Sequence, residues 1–192
     1  MRVLIGLLAV ALLPAPGSLA AGGPLALDER LAKTGDLKGF AAPPKIGISL
    51  YGTAADWAKG FPDPAAETQR LQKLGFAGAA FEHLTATHLL NRDAVSIALQ
   101  FRTPAGARAN LAHAIATYGN GGLKVTHFVV PGVPGATGLY AHRTDGAGYD
   151  AVFTDGPYFY DVGAYSPDAN APPTSAQVAA AAAAVYHRVH GH

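Results

Sequence analysis

The sequence predicts an α+β fold: an antiparallel sheet with helices packed on one face. Three observations carry the prediction. Strand-like segments follow one another directly after Gly75 and again after Gly122, joined only by turn residues; strands linked as hairpins run antiparallel. Three segments with apolar residues at helical spacing each begin behind an N-capping residue. These helices follow runs of strands instead of alternating with single strands, which separates the chain from a doubly wound fold.

Ile46, Ile48 and Leu50 alternate with smaller residues and predict a first strand. Asp63 is a good N-cap, and Pro64 suits a first helical turn, where its missing N–H has no partner to lose. Leu71 and Leu74 give that helix its apolar face, and Gly75 ends it. Gly75 to Leu84 and Val95 to Phe101 read as strands, the second with Val95, Ile97, Leu99 and Phe101 on one face. A longish hairpin connection, Thr85 to Asp93, joins them. Thr103-Pro104 opens a second helix with Ala107, Leu111, Ala114, Ile115 and Tyr118 inward, stopped by Gly119 to Gly122. Strands are then expected at Leu123–Val130, Thr137–Arg143, Tyr149–Thr154 and Tyr158–Tyr165. Asp155-Gly156 between the last two is a strong tight-hairpin signal. Thr174 with Gln177 makes a capping box for a closing helix that runs to about His190, with Val178, Ala182, Val185 and Val189 inward. Gly75–Tyr118 reads strand–strand–helix and Gly138–Val189 reads strand–strand–strand–helix, a loose repeat compatible with a degenerate internal duplication.

The first residues read as an export signal. Arg2 supplies a positive start, Val3 to Leu13 an unbroken apolar run, and Pro14 and Pro16 a break. Ser18 and Ala20 are the small residues that a signal peptidase accepts in its tight extended cleft, so cleavage is expected after Ala20. The apolar run is shorter than the ~20 residues a bilayer span needs. Residues 1–20 are thus expected to be a signal peptide, 21–44 an N-terminal extension and 45–192 a single α+β domain, secreted or extracytoplasmic, without a transmembrane segment in the mature chain.

Composition narrows the chemistry. Charged residues are 14% and the formal net charge is +1, which argues against a nucleic-acid binder with its basic stripe. Cysteine is absent, so thiolate nucleophiles, Fe–S clusters and cysteine zinc sites are excluded and no disulfide helps the core. Gly47 to Gly52 has the wrong spacing around Ser49 for a nucleophile elbow. The glycines at Gly119 to Gly122 follow a helix instead of preceding one, so they do not form a phosphate cradle. Among the 8 histidines, His83 with His88, and His187 with His190 and His192, are close in sequence, but a metal site needs three or four converging ligands. Asp145, Asp150, Asp155 and Asp161 lack calcium-loop spacing and read as turn and strand-edge aspartates. No catalytic residue, metal ligand or cofactor is assigned.

The binding candidates are aromatic. Tyr158 and Tyr160 share a strand face opposite to Phe159, and tyrosine offers apolar area together with a hydroxyl. Two Pro-Gly steps in Pro131-Gly132-Val133-Pro134-Gly135 stiffen the loop before Thr137. Tyr158, Tyr160, Tyr140, Pro131 and Pro134 are therefore the expected ligand-binding residues.

Four short segments carry a resemblance: Asp36 to Phe40, the Pro-Gly loop from Val130 to Ala136, Gly156 to Tyr158, and the Ala-rich stretch from Ala179 to Arg188. Together they resemble a group of uncharacterised bacterial secreted proteins with a Val-Pro-Gly-Val/Ile-Pro-Gly-Ala loop. The topology is similar to extracytoplasmic sensor and PsbP-like α+β domains. That resemblance implies binding of a small apolar ligand or of a cell-envelope protein, and brings no active-site residues with it. Two alternatives stand beside it: an exported hydrolase using His83 or His142 with a nearby aspartate, and a histidine-based metal binder.

Overall fold

The computed structural model describes residues 25–42, 47–86, 92–118, 124–143, 146–167 and 173–190. The expected signal peptide and its cleavage point, His88, His192 and the Gly119–Gly122 turn lie outside the described residues. After a single 3-10 turn at Asp28–Arg30, the chain forms β1 (Phe40–Ala41), β2 (Ser49–Tyr51), α1 (Ala54–Ala58) and α2 (Pro64–Lys73). Then come β3 (Phe76–Ala86), β4 (Asp93–Phe101), α3 (Pro104–Thr117) and β5 (Lys124–Phe128). β6 (Thr137–Arg143), β7 (Gly146–Asp155), β8 (Tyr158–Ser166) and α4 (Ser175–Val189) complete it.

The helix starts are where side-chain chemistry put them. Asp63 accepts from the Ala66 N–H at 3.0 Å and Thr103 from the Gly106 N–H at 3.2 Å. Thr174 and Gln177 close the capping box in both directions. Gly75, at φ +77°, takes the left-handed turn that ends α2.

All sheet pairings are antiparallel, in the order β1-β3-β4-β8-β7-β6-β5, with β2 also paired to β3. After β4, the chain crosses through α3 to the far edge at β5. It then returns by hairpins until β8 lies beside β4. The expected α+β class with an antiparallel sheet is present.

The helices, however, cover both faces. On one, α4 packs on Ala98, Phe153, Tyr160 and Val162. On the other, α2 and α3 bring Leu71 and Ala107 onto Leu99, Leu139, Val152 and Phe159. The reason is visible in the strands: Ala98-Leu99, Val152-Phe153 and Phe159-Tyr160 are buried consecutive pairs, so both faces need cover. The two-sided cover also bears on the expected duplication. Strands β3-β4 and β8-β7 are symmetric about the β4–β8 seam, as a two-fold axis perpendicular to the sheet would make them. That axis would put α3 and α4 on one face. They lie on opposite faces, so the two halves are not related by it.

Residues 25–42, expected to precede the domain, are packed into it beside α4. Leu31, Ala32, Leu37 and Phe40 are buried. The Ala32 N–H donates to Ser96 Oγ at 2.8 Å, and Arg188 of α4 donates to the Leu31 carbonyl and pairs with Asp36.

The seating of α3 depends on Gly106. A Cβ there would stand 2.2 Å from the Leu74 carbonyl oxygen at the end of α2, and backbone cannot swing aside. We expect Gly106→Ala to lower stability by about 1–3 kcal/mol, read as a shifted urea midpoint. An unchanged midpoint would contradict this close approach.

Candidate functional site

The expected tyrosine cleft is not formed. Tyr160 is fully buried, stacked on Phe153 at 4.8 Å between ring centroids. Its hydroxyl accepts from Arg30 Nη1 at 2.8 Å. Burial pushes that hydroxyl up to about 12 despite the opposing pull of Arg30. Tyr158 lies under the same guanidinium, 3.7 Å from ring centroid to Cζ. Tyr140 packs on Tyr149 at 4.5 Å, away from that pair. Pro131 borders a shallow apolar groove between Val129 and the alanines of α4, while Pro134 is exposed. The five residues therefore do not converge. Arg30, which occupies the space beside Tyr158 and Tyr160, comes from the segment expected to lie before the domain.

The other face carries a different constellation. The two-residue turn, at Gly156-Pro157 and so one residue beyond the expected Asp155-Gly156, sets the β7–β8 register, which places Asp150 opposite Gly163 and Asp161 opposite Val152. Both carboxyls thereby fall on the α3 side of the sheet. The Asp150 carboxyl lies across Gly163, where a Cβ would come 2.0 Å from its Oδ1. Tyr118, at the C-cap of α3, donates its hydroxyl to Asp150 Oδ2. Asp161 Oδ1 is sealed from solvent and has no hydrogen-bond partner.

A cavity of about 250 Å³ opens beside Asp150, walled by Val95, Ala141, Gly148, Tyr118 and Tyr165. Asp93 also borders it, and His83 Nε2 stands 3.1 Å from the Asp93 carboxylate. Desolvation raises Asp150 to about 6, with the Tyr118 hydrogen bond pulling the other way. Asp161 is raised well above the usual carboxylate range, first by burial and then by the charge of Asp150. The Tyr118 hydroxyl is raised as well, by burial and then by Asp150.

Sequence reasoning treated Asp150 and Asp161 as turn and edge residues and Tyr118 as a helix-face residue. The hairpin signal at Asp155-Gly156 held part of the missing information, since counting back from it puts the two acids on one face, but the glycine across from Asp150 follows only from the turn the chain actually makes, at Gly156-Pro157. Of the histidines, His83 meets an aspartate at the cavity, His142 is exposed, and His190 Nδ1 lies 3.2 Å from Asp155 at the surface. Among the described residues no three histidine, aspartate or glutamate side chains gather as a metal site.

No family model and no curated protein matches the chain. Among solved structures, the extracellular domain of PknH from Mycobacterium tuberculosis aligns with a TM-score of 0.55 at 11% identity, over 88% of this chain and 98% of that one. A Rv0999 ortholog from Mycobacterium smegmatis aligns at 12% identity over 77% of this chain and 90% of that one, with a TM-score of 0.43. The first likeness shows a shared fold. No described helix is long and apolar enough to cross a membrane.

Two predictions follow from the carboxyl pair. Asp150 binds its proton more tightly folded than at its ordinary value of 3.8. Its contribution to stability is therefore fully present below that value and is lost as pH rises through about 6. Urea midpoints should fall across this window, and Asp150→Asn should remove on the order of 2–3 kcal/mol of that pH dependence. A variant with the wild-type slope would contradict the assignment. Separately, Gly163→Ala should displace the Asp150 carboxyl and break its bond to Tyr118, costing about 1–3 kcal/mol. In a double-mutant cycle with Asp150→Ala, the two losses should be less than additive by at least about 0.5 kcal/mol. Strict additivity would place the carboxyl elsewhere.

Proposed function

We propose that this chain is an exported binding domain whose ligand, a small molecule with an apolar body and one polar group, occupies the cavity beside Asp150. The observation that carries the reading is the pairing of an apolar-walled cavity with a few convergent polar groups, the usual make-up of a small-molecule site. Tyr118, Asp150, Asp93 and Tyr165 supply those groups, beside an apolar remainder of Ala94, Val95, Ala141 and Ala164. The N-terminal Arg2–Ala20 pattern supports export, and the fold shared with an extracellular domain is compatible with it. A binding role also fits the absence of a recognisable nucleophile motif in the sequence.

One observation favours a second reading. His83 and Asp93 pair beside the cavity, the histidine–aspartate convergence that an exported hydrolase would need. In that reading His83→Ala abolishes hydrolysis of a small ester while leaving ligand uptake intact.

The cavity can be closed without strain at Gly148, where a Cβ would meet only ordinary contacts, 3.6 Å from the Ala164 carbonyl and from the Tyr165 ring. We expect Gly148→Leu to keep stability within about 1 kcal/mol of wild type. It should weaken binding of n-hexanol, followed by ligand-observed NMR, at least about tenfold. Equal binding by the two proteins would refute the cavity as the site.

A further inference from the structure

We propose that the cavity takes a small organic cation, a protonated amine on an apolar body, with its ammonium seated against the Asp150 carboxylate beside Tyr118. The inference rests on reading the cavity as a ligand site and adds the charge of the ligand.

The argument starts from an unbalanced charge. Among the residues whose side chains are described, Asp150 accepts one hydrogen bond, from Tyr118, and no lysine, arginine or histidine pairs with it or with Asp161. Asp161 behind it has an oxygen with no partner at all. Carboxylates taken out of water are strongly disfavoured unless a cation or hydrogen bonds replace the lost hydration. On the other face of the same sheet the comparable polar groups are matched: Arg30 is bonded to Tyr160 and stacked on Tyr158.

The backbone adds to the unbalanced charge. α3 runs from Pro104 to Thr117 and ends at Tyr118 with no basic residue in its last turn. No basic side chain of that turn therefore offsets the negative end of its dipole where Tyr118 meets Asp150. Tyr118 and Tyr165 also put aromatic rings in the wall, a residue type that attracts cations. Val95 and Ala141 supply contact for the apolar part. A volume of about 250 Å³ admits a short chain or a single ring, not a lipid.

The titratable groups on this side are Tyr118 of α3, Asp150 of β7, Asp161 and Tyr165 of β8 and Asp93 of β4, with His83 of β3 paired to Asp93. A cation binds the ionised form of Asp150, so affinity should rise with pH through the titration of that group. This is opposite in sense to its effect on folding.

The test uses the chain from residue 21 onward, the expected mature form, titrated with n-hexylammonium, n-hexanol, n-hexanoate and calcium chloride. At about pH 7.5 the ammonium should bind at least about tenfold tighter than the alcohol, and the carboxylate not measurably. Asp150→Asn should remove the preference, so that the variant binds the ammonium no more tightly than it binds the alcohol. In the wild-type protein, which needs no altered residue to fold, the ammonium should bind at least about fivefold more weakly at about pH 5. An alcohol as tight as the ammonium, or a carboxylate that binds better, would overturn the cation while leaving the cavity reading intact. Calcium binding that Asp150→Asn removes would overturn it in favour of a metal site. Failure of all three six-carbon probes would overturn the cavity reading and the inference with it.

Discussion

β4 and β8 lie side by side in the middle of the sheet and present apolar residues on both faces, and the rest of the molecule is arranged around that. A strand exposed on one side can leave its outer residues to water. A strand buried on both sides requires two layers of cover, and this chain draws them from different places. One layer is α2 and α3, close in sequence to β3 and β4. The other combines α4 from the C-terminus with residues 25–42 from the other end of the described chain. The N-terminal segment is therefore part of the second core, which explains why Leu31, Leu37 and Phe40 are buried.

The two cores handle polar groups differently. In the α4 core, the Tyr160 hydroxyl, Ser96 and Arg30 are matched to one another or to the backbone. The arrangement converts three polar side chains into ties between the N-terminal segment and the sheet. In the α3 core, the Asp150–Tyr118 bond satisfies one carboxyl in part, and Asp161 remains incompletely matched. Fully matched buried networks tend to hold structure together, whereas strongly perturbed carboxyls in a cleft gather at functional sites. That contrast is why the site is placed on the α3 face and not among the tyrosines.

Much of the fold was legible in the sequence because its signals were local. The capping residues Asp63, Thr103 and Thr174, the stop at Gly75 and the turn signal at Asp155-Gly156 each specify their element through chemistry within a few residues. What was not legible was long-range. The second layer of cover could not be read from amphipathic spacing, since Ala-rich α4 and α3 give little sign of which sheet face they meet. α1, a single short helix capped by Thr53, was missed because so brief an element leaves no periodicity. The tyrosines at 158 and 160 were singled out for their shared strand face and their apolar area with a hydroxyl, and Arg30, distant in sequence, bonds to the one at 160 and stacks on the one at 158. The carboxyl pair was within reach, because hairpin register alone puts Asp150 and Asp161 on one face, but the cavity beside them depends on where α3 ends.

The seam between β4 and β8 has a kinetic consequence. It joins Asp93 to Tyr165 and Gln100 to Tyr158, residues far apart along the chain. Such distant pairings must first overcome loop-closure entropy, and they slow folding. A chain that emerges N-terminus first can form the β3–β4 hairpin early, yet neither core can close until β8 has arrived, and one of them must wait for α4. For most of its emergence the polypeptide therefore holds hairpins without a finished core, and its apolar strand faces stay uncovered until the last strand and helix arrive.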